Sequence, residues 1–254
     1  MLNTYIVEGG VGKCVAFTSL IPKLRKNSQI QIYTPYVDVF ANNLNVKLAL
    51  ENTIPLQDKR IMASDNIFYC EPYKSNFQFG KQHIIESYCE HHGVDFDVTM
   101  KPKIHTDHHK KIVDEWLNKN NIRKYILVQF SGGQAKFGFN ANNQYQNINP
   151  NRNYQPFLAQ EVINMLLEEY KDTTIINCVL PNEPHYQGTI RCDLHFAQIH
   201  ELLKGAEGFI SIDSCLQHFS ASAEKHGVVI WGSTRWTQFG LSLIHISEPT
   251  RPLY

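Results

Sequence analysis

Residues 208–231 alternate between short apolar runs and a helical pattern, and this restricts the fold more than any other stretch. Residues 209–212 are β-branched and bounded by polar residues, as in a short buried strand. Asp213 and Ser214 are typical helix N-caps, and Gly227 is expected to stop the helix before a second strand over 228–231. A strand, a helix and a strand form a βαβ unit, which predicts a parallel sheet.

The turn after the first of these strands is a candidate anion-binding site. Asp213, Ser214 and Cys215 lie where the strand gives way to the helix. Ligands of open α/β sheets bind at the carboxyl ends of strands, and the free N–H groups of a helix N-terminus favour negative charge. The pattern predicts a bound anion here and leaves the substrate open.

Strands and helices alternate through the rest of the chain in two series, each of which opens at a glycine-rich turn. The first series is expected over 1–110 and the second over 111–240, with Pro, His and Lys interrupting the pattern near the boundary. This predicts an α/β protein made of two Rossmann-like domains. Pro22 is expected to interrupt the first helix, and residues 94–98 are expected to form a strand.

Composition excludes some function classes. The 254 residues carry 24 basic and 24 acidic side chains, so the formal net charge is zero and there is no strong signal for nucleic acid. The sequence contains no run of about 18 apolar residues, so it predicts no transmembrane segment. The six cysteines are scattered and the N-terminus lacks a signal-peptide pattern, which together favour a cytoplasmic location.

The first glycine-rich turn reads EGGVGKC over residues 8–14 and superficially resembles the phosphate loop of the ParA/MinD-like ATPases. That loop needs a hydroxyl after its lysine to bind magnesium, whereas Cys14 is a poor ligand for a hard cation. Glu8 stands where the ATPases have another lysine and would repel a phosphate. Gly9, Gly10 and Gly12 then predict a tight turn, either close to some other ligand or with no ligand at all.

A second resemblance touches both halves of the chain. The helix pattern LHFAQIHELLKGA over 194–206 is followed by DSCLQHFSA over 213–221 and by a GST turn over 232–234. Together with the pattern around residues 12–24, this is similar to glycosyltransferase family 9, the ADP-heptose:lipopolysaccharide heptosyltransferases and their relatives. The resemblance implies a GT-B fold, in which two Rossmann-like domains face a cleft.

The resemblance also implies roles for residues of the donor site. Asp213 would contact the donor sugar, the backbone amides of Ser214 and Cys215 would hold the diphosphate, and His218 matches the histidine of the motif. Cys215 replaces the glycine of the motif. Further donor-binding residues implied on the same ground are Ser131, Gly132, Lys136 and Glu183, the last of them near the nucleoside.

The chain departs from the family at Lys13, where the resemblance implies an aspartate acting as general base. A lysine with an ordinary pKa is protonated at pH 7 and cannot accept the proton of an acceptor hydroxyl. Glu8 or Asp38 would act instead, Lys13 would be deprotonated by burial, or the acceptor chemistry differs. The histidines at 105–109 sit in a lysine-rich segment and are expected to be solvated, so we expect no metal site.

The implied activity is transfer of a sugar from a nucleotide diphosphate-sugar donor to the hydroxyl of a glycan or other acceptor, with inversion and with no cofactor or obligatory metal. Two alternatives are a non-catalytic nucleotide-sugar-binding protein and a ParA-like ATPase. The last 14 residues, LSLIHISEPTRPLY, resemble translated sequencing-adapter read-through. We therefore expect a GT-B chain that is truncated near Gly240.

Overall fold

The computed structural model describes residues 1–26, 28–132, 153–179, 183–232 and 234–241. Lys136, Ser233 and residues 242–254 of the expected non-native tail lie outside this part of the chain. The chain divides into two compact units, one of residues 1–106 with 237–241 and the other beginning at Asp107 and running to Trp236. The expected boundary at 110/111 falls just after this division.

The N-terminal unit contains a four-stranded parallel sheet in the order β3-β2-β1-β4. Its strands, in chain order, are β1 Leu2–Ile6, β2 Gln29–Thr34, β3 Val46–Glu51 and β4 Asn66–Tyr69. Its helices are α1 Val11–Thr18, α2 Ile21–Leu24, α3 Val37–Phe40, α4 Lys59–Met62, α5 Ser75–Gln78 and α6 Ile84–His91. Parallel sheets are covered on both faces, and β1 and β2 are accordingly buried along almost their whole length.

The predicted interruption near Pro22 is confirmed. Helix α1 ends at Thr18, and the short helix α2 restarts at Ile21 with Pro22 in its first turn. Proline is tolerated there because the N–H groups of a first turn have no partner within the helix. The apolar residues of α1 still face the sheet, and Val15 and Phe17 are fully buried.

The C-terminal unit contains a five-stranded parallel sheet in the order β7-β6-β5-β8-β9. Its strands, in chain order, are β5 Tyr125–Gln129, β6 Thr174–Asn177, β7 Thr189–Arg191, β8 Gly208–Ile212 and β9 Gly227–Ile230. Its helices are α7 Lys110–Lys119, preceded by the 3₁₀ turn Asp107–His109, then α8 Pro156–Glu169, α9 Phe196–Gly205 and α10 Cys215–Ala223. One core cluster packs Val128 and Phe130 against Ala159 and Ile163 of α8.

Two local predictions are wrong, and one strand was not predicted. Residues 94–98 form no strand. Strand β7 lies between the predicted loop and the predicted helix, in a segment to which no element was assigned. Helix α10 ends at Glu224, whose φ of 51° is left-handed, and Gly227 is the first residue of β9 instead of the helix stop. A Cβ on Gly227 would lie 2.3 Å from the Phe209 ring, so close strand packing accounts for this glycine.

The end of the described chain returns to the N-terminal unit. A short helix, α11 Trp236–Phe239, brings the Gln238 side chain into a hydrogen bond with the carbonyl of Phe77. The Phe239 ring lies edge-on to Phe77 with centroids 5.3 Å apart, and the His83 ring is 3.0 Å from the Gly240 carbonyl oxygen. Among the described residues, no helix is long and apolar enough to cross a membrane.

Candidate functional site

Each sheet has one place where the strand order reverses, so that strands adjacent in the sheet are not consecutive in the chain. In the C-terminal sheet this place lies between β5 and β8, and in the N-terminal sheet between β1 and β4. Such switch points leave a crevice at the carboxyl ends of the two strands, where α/β proteins bind ligands. The candidate site residues predicted from the sequence lie mostly at these two edges.

At the C-terminal switch point, the turns after β5 and β8 leave the sheet side by side. Gln129 pairs with Ser211 in the parallel register, so Ser131 and Asp213 both follow the paired ends of their strands. Ser131, Asp213 and Ser214 are buried. The structure thus brings together residues that are more than 80 positions apart in the sequence.

Gln129 is a residue of this site that the sequence analysis missed. Its side chain is buried, and its Oε1 accepts a hydrogen bond of 3.2 Å from the N–H of Leu216 in the first turn of α10. Its Nε2 lies 3.5 Å from the Cys215 thiol. The available signal was a polar amide at the end of an otherwise apolar strand, because a buried amide must find partners.

Helix α10 presents its N-terminus at the same edge. Ser214 is the N-cap in an extended conformation, without a side-chain hydrogen bond to the helix. The N–H groups of Ser214 and Cys215 precede that of Leu216 and have no acceptor within the helix, which makes this end of α10 electropositive. Burial raises the pKa of the Cys215 thiol, so this side chain adds no negative charge.

Asp213 and His218 face each other next to this helix end. The distance from His218 Nε2 to Asp213 Oδ1 is 3.7 Å, and both side chains are more than nine-tenths buried. A protonated imidazole here would form an ion pair with the carboxylate. Asp213 precedes the N-cap of α10 and His218 lies in its first turns, so the structure brings together two residues that the family resemblance implies for the donor site.

The structure places the remaining predicted donor-site residues, Glu183, Gly132 and Lys136, in different ways or not at all. Glu183 is buried after β6, close enough for its charge to contribute to the raised pKa of Cys215. The N–H of Gly132 donates to Asn153 Oδ1 at 2.8 Å, so a side chain already occupies this donor. Lys136 lies outside the described residues.

In the N-terminal unit, the turn after β1 is built around Gly9. Its φ of 97° lies in the left-handed region, and a Cβ there would meet Lys13 Cδ at 3.0 Å. Gly10 is the N-cap of α1, while Gly12 lies inside α1 and not in the predicted turn. Glu8 is exposed at the start of this turn.

Lys13 is bound by a residue that the sequence analysis did not consider. Its Nζ lies 3.0 and 2.9 Å from the two carboxylate oxygens of Glu71, which follows β4 across the switch point. The same ammonium sits 3.9 Å from the centroid of the Tyr73 ring. The signal for Glu71 was its position directly after a strand, but only strand order places it beside Lys13.

Cys14 does not have the position that an ATPase hydroxyl would need. It is fully buried, its thiol lies 3.3 Å from Thr34 Oγ1, and burial raises its pKa to about 12. With Lys13 paired to Glu71, the two residues that would contact phosphate and magnesium in that class are both occupied. Among the described residues, no three His, Cys, Asp or Glu side chains are grouped so as to hold a metal ion.

The fold can now be compared with known proteins. No family model matches the chain, and no curated protein sequence matches it. Solved structures do match the chain. A glycosyl transferase family 9 protein from Veillonella parvula has a TM-score of 0.73 at 13% identity, covering 100% of this chain and 88% of the other. The chain has the fold of that transferase.

Two further structures agree. The E. coli ADP-heptose lipopolysaccharide heptosyltransferase II has a TM-score of 0.71 at 13% identity, covering 98% of this chain and 90% of that one. The E. coli heptosyltransferase WaaC, solved with ADP, has a TM-score of 0.60 at 10% identity, covering 94% and 90% of the two chains. The predicted α/β fold of two parallel-sheet domains, of GT-B type, is confirmed.

Proposed function

We propose that this protein is a glycosyltransferase that moves a sugar from a nucleotide diphosphate-sugar donor to an acceptor hydroxyl. One observation carries the proposal. The N-terminus of α10, the buried Asp213 and the turn after β5 meet at the switch point of the C-terminal sheet. This arrangement suits a ligand that combines an anionic diphosphate with a polar sugar.

Each group at this edge would act on a different part of the donor. The N–H groups of Ser214 and Cys215 would hold the diphosphate, and Asp213 would accept hydrogen bonds from sugar hydroxyls. Lys136 would add positive charge. As the glycosidic bond breaks, negative charge grows on the departing diphosphate, and positive charge already in place there lowers the barrier. We infer that these groups suffice without an obligatory metal.

The reaction would invert the anomeric centre. An acceptor oxygen that loses its proton to a base attacks the anomeric carbon from the side opposite the diphosphate. The N-terminal unit would supply that base and bind the acceptor, a glycan or another hydroxyl compound. We place this reaction in the cytoplasm, since the six cysteines are free thiols and five of them are buried.

A non-catalytic nucleotide-sugar-binding protein is the second candidate. The observation that favours it is Lys13, which stands where the resemblance implies a carboxylate base and which is held in an ion pair. Such a protein would bind the donor at the same edge and release no nucleotide. The two candidates therefore differ in turnover and not in binding.

A thermal shift screen followed by a turnover assay tests the proposal. ADP-heptose, UDP-glucose and GDP-mannose serve as probes in EDTA, beside ATP with and without magnesium. A sugar nucleotide at 100 times its Kd would stabilise the fold by about 2.7 kcal/mol, or several degrees in Tm. We expect one of the sugar nucleotides to do so and then to be cleaved to its nucleoside diphosphate.

The other outcomes separate the candidates. Stabilisation by ATP alone, and only with magnesium, would contradict the transferase and support the ATPase. Stabilisation by a sugar nucleotide without any release of nucleoside diphosphate, whether water or hydroxyl compounds are offered, would support the binding protein.

A further inference from the structure

Glu71 occupies the edge of the N-terminal sheet at which the acceptor-side chemistry is expected. The N–H of Cys70 donates to the carbonyl of Ile6 at 2.9 Å, so the pairing of β1 with β4 continues to the residue before Glu71. Glu71 therefore leaves the sheet next to the turn of Glu8 and Gly9. Residues 8 and 71 are the first carboxylates beyond the carboxyl ends of these two strands.

The carboxylate of Glu71 is held in one orientation. Lys13 Nζ donates to both oxygens, at 3.0 and 2.9 Å, and the backbone N–H of Tyr73 donates to Oε1 at 3.0 Å. The Lys13 stem lies against Gly9, and its ammonium packs on the Tyr73 ring. Three hydrogen bonds, two of them from the largely buried Lys13, make this a preorganised group, in contrast to a freely rotating surface glutamate.

The exposed member of the pair is the carboxylate. The Lys13 side chain is 12% exposed and the Glu71 side chain is 52% exposed. A carboxylate offers about four lone-pair sites. The three bonds that it accepts leave capacity for one more donor on its exposed side. An incoming hydroxyl can therefore reach Glu71, while a protonated lysine has no lone pair with which to accept its proton.

Glu8, one of the two alternative bases predicted from the sequence beside Asp38, lacks this support. It is exposed and makes no hydrogen bond or ion pair to another described residue. A base must be positioned within hydrogen-bond reach of the proton that it removes, and orientation contributes much of its effect. Of the two carboxylates at this edge, Glu71 is the one whose position the fold determines.

We propose that Glu71 is the general base of the transfer reaction and that Lys13 is its positioning residue. This inference rests on the proposed function. A carboxylate oxygen of Glu71 takes the proton of the acceptor O–H, and the acceptor oxygen forms the new bond to the anomeric carbon. The bond from that carbon to the diphosphate breaks, and its electron pair leaves with the nucleoside diphosphate. Lys13 thus holds in place a carboxylate that follows the neighbouring strand β4.

Glu71→Gln in the full chain is the direct test. The assay follows release of nucleoside diphosphate with water as acceptor, using ADP-heptose first and otherwise the panel member that the wild type cleaves. Loss of a general base is expected to lower kcat by about 10²- to 10⁴-fold. The KM for the donor should change by less than about threefold, because Glu71 does not bind the donor. A kcat within about threefold of wild type would overturn the inference.

Azide provides a readout that a merely structural role would not move. Azide is an anionic nucleophile and needs no base. With azide, Glu71→Ala should therefore form glycosyl azide, and its rate of nucleoside diphosphate release should rise at least tenfold. Wild type should gain much less. If Glu71→Ala still shows the thermal shift with the donor but is not rescued by azide, Glu71 is not the base.

Two matched variants complete the experiment. Asp58→Asn removes a carboxylate paired with Arg60 elsewhere in the same unit and should leave kcat unchanged. Glu8→Gln should lower kcat by less than about threefold, and a fall of 10²-fold or more there, with Glu71→Gln active, would identify Glu8 instead. If the wild type cleaves no sugar nucleotide, the proposed function fails first, which is distinct from failure of Glu71 alone.

Discussion

The two switch points share a topology and differ in where they place charge. Between β5 and β8, Asp213 and His218 are both more than nine-tenths buried, and Gln129 braces the start of α10. Between β1 and β4, the ion pair of Lys13 with Glu71 lies at the surface, with the carboxylate about half exposed. One edge encloses its charges and the other presents a carboxylate to solvent.

This difference fits the separate roles proposed for the two edges, donor binding and proton transfer. At the enclosed edge, the N–H groups at the start of α10 and the buried Asp213 interact strongly with a ligand because water screens them poorly, which suits a ligand that combines an anionic group with sugar hydroxyls. An exposed carboxylate that is oriented by a covered lysine keeps a lone pair available for an incoming group. Under the two proposals, the same kind of parallel-sheet edge would serve binding in one unit and proton transfer in the other, since function depends on the side chains placed on a fold.

After Glu71→Gln, the largest effect is expected from Asp213→Asn, which disrupts the enclosed edge. The variant keeps the shape of the side chain and removes its charge, so hydrogen bonds to the donor sugar weaken by about 1.5–3 kcal/mol. We expect the KM for the donor to rise at least tenfold, whereas Glu71→Gln should lower kcat and leave this KM nearly constant. Steady-state kinetics on both variants measures the contrast.

Asp107→Asn is the matched control in the same unit, because Asp107 is 86% exposed and pairs with Lys204 at the surface. It should leave the KM for the donor unchanged. If Asp213→Asn and Glu71→Gln altered the same kinetic constant, the division of labour between the two edges would be wrong.

A smaller effect is expected from Gly9→Ala at the open edge. The new Cβ would face Lys13 Cδ at 3.0 Å with φ at 97°, so we expect the free energy of unfolding to fall by about 1–3 kcal/mol. Gly10→Ala is the matched control, because its Cβ would have nothing within 4 Å at a φ of −76°. Urea unfolding compares them, and equal losses would contradict the role assigned to Gly9.

A stability effect of similar size concerns the response of the N-terminal unit to acid. His92 packs against the Tyr5, Phe17 and Phe68 rings, and burial lowers its pKa to about 4, with smaller contributions from His91 and Lys74. Below pH 6.5 the unfolded chain takes up a proton that the folded chain takes up only near pH 4. Stability is therefore lost as pH falls from about 6.5 to 4, by about 1–3 kcal/mol.

His92→Phe keeps the aromatic packing and removes the titrating group, so it should reduce this loss. Hydrogen exchange of peptides from each unit at pH 7 and pH 4.5 locates the effect. All three tryptophans lie in 107–236, so their fluorescence reports the C-terminal unit separately. An unchanged pH dependence in His92→Phe would show that other groups cause the acid loss.

Much of the fold was predictable because strands and helices follow local patterns. The strand predicted over 209–212 and the cap at Ser214 both mark element ends within one or two residues of the structure. Asp213 and Ser214 were predictable as a strand end and a helix cap for the same reason, whereas His218 was implied by the family resemblance. The resemblance added roles to these positions, and those roles remain predictions.

The misses have a common physical cause. Strand β7 is three residues long and gains its pairing from β6, so its own sequence carries little signal. The helix stop predicted at Gly227 failed because that glycine is required by the Phe209 ring of the neighbouring strand. In each case, a contact with a residue distant in sequence outweighs the local preference.

The sequence by itself determined the βαβ order, the glycine turn before Lys13 and the Asp213–Ser214 start of α10. Periodicity and capping are properties of residues close together in the sequence, so a single sequence is enough to predict them. Only the tertiary structure decided that Glu71 meets Lys13 and that Gln129 meets Leu216. Those pairings depend on the strand orders β1 beside β4 and β5 beside β8. Sheet order brings together residues separated by 58 and 87 positions, and no local pattern encodes it.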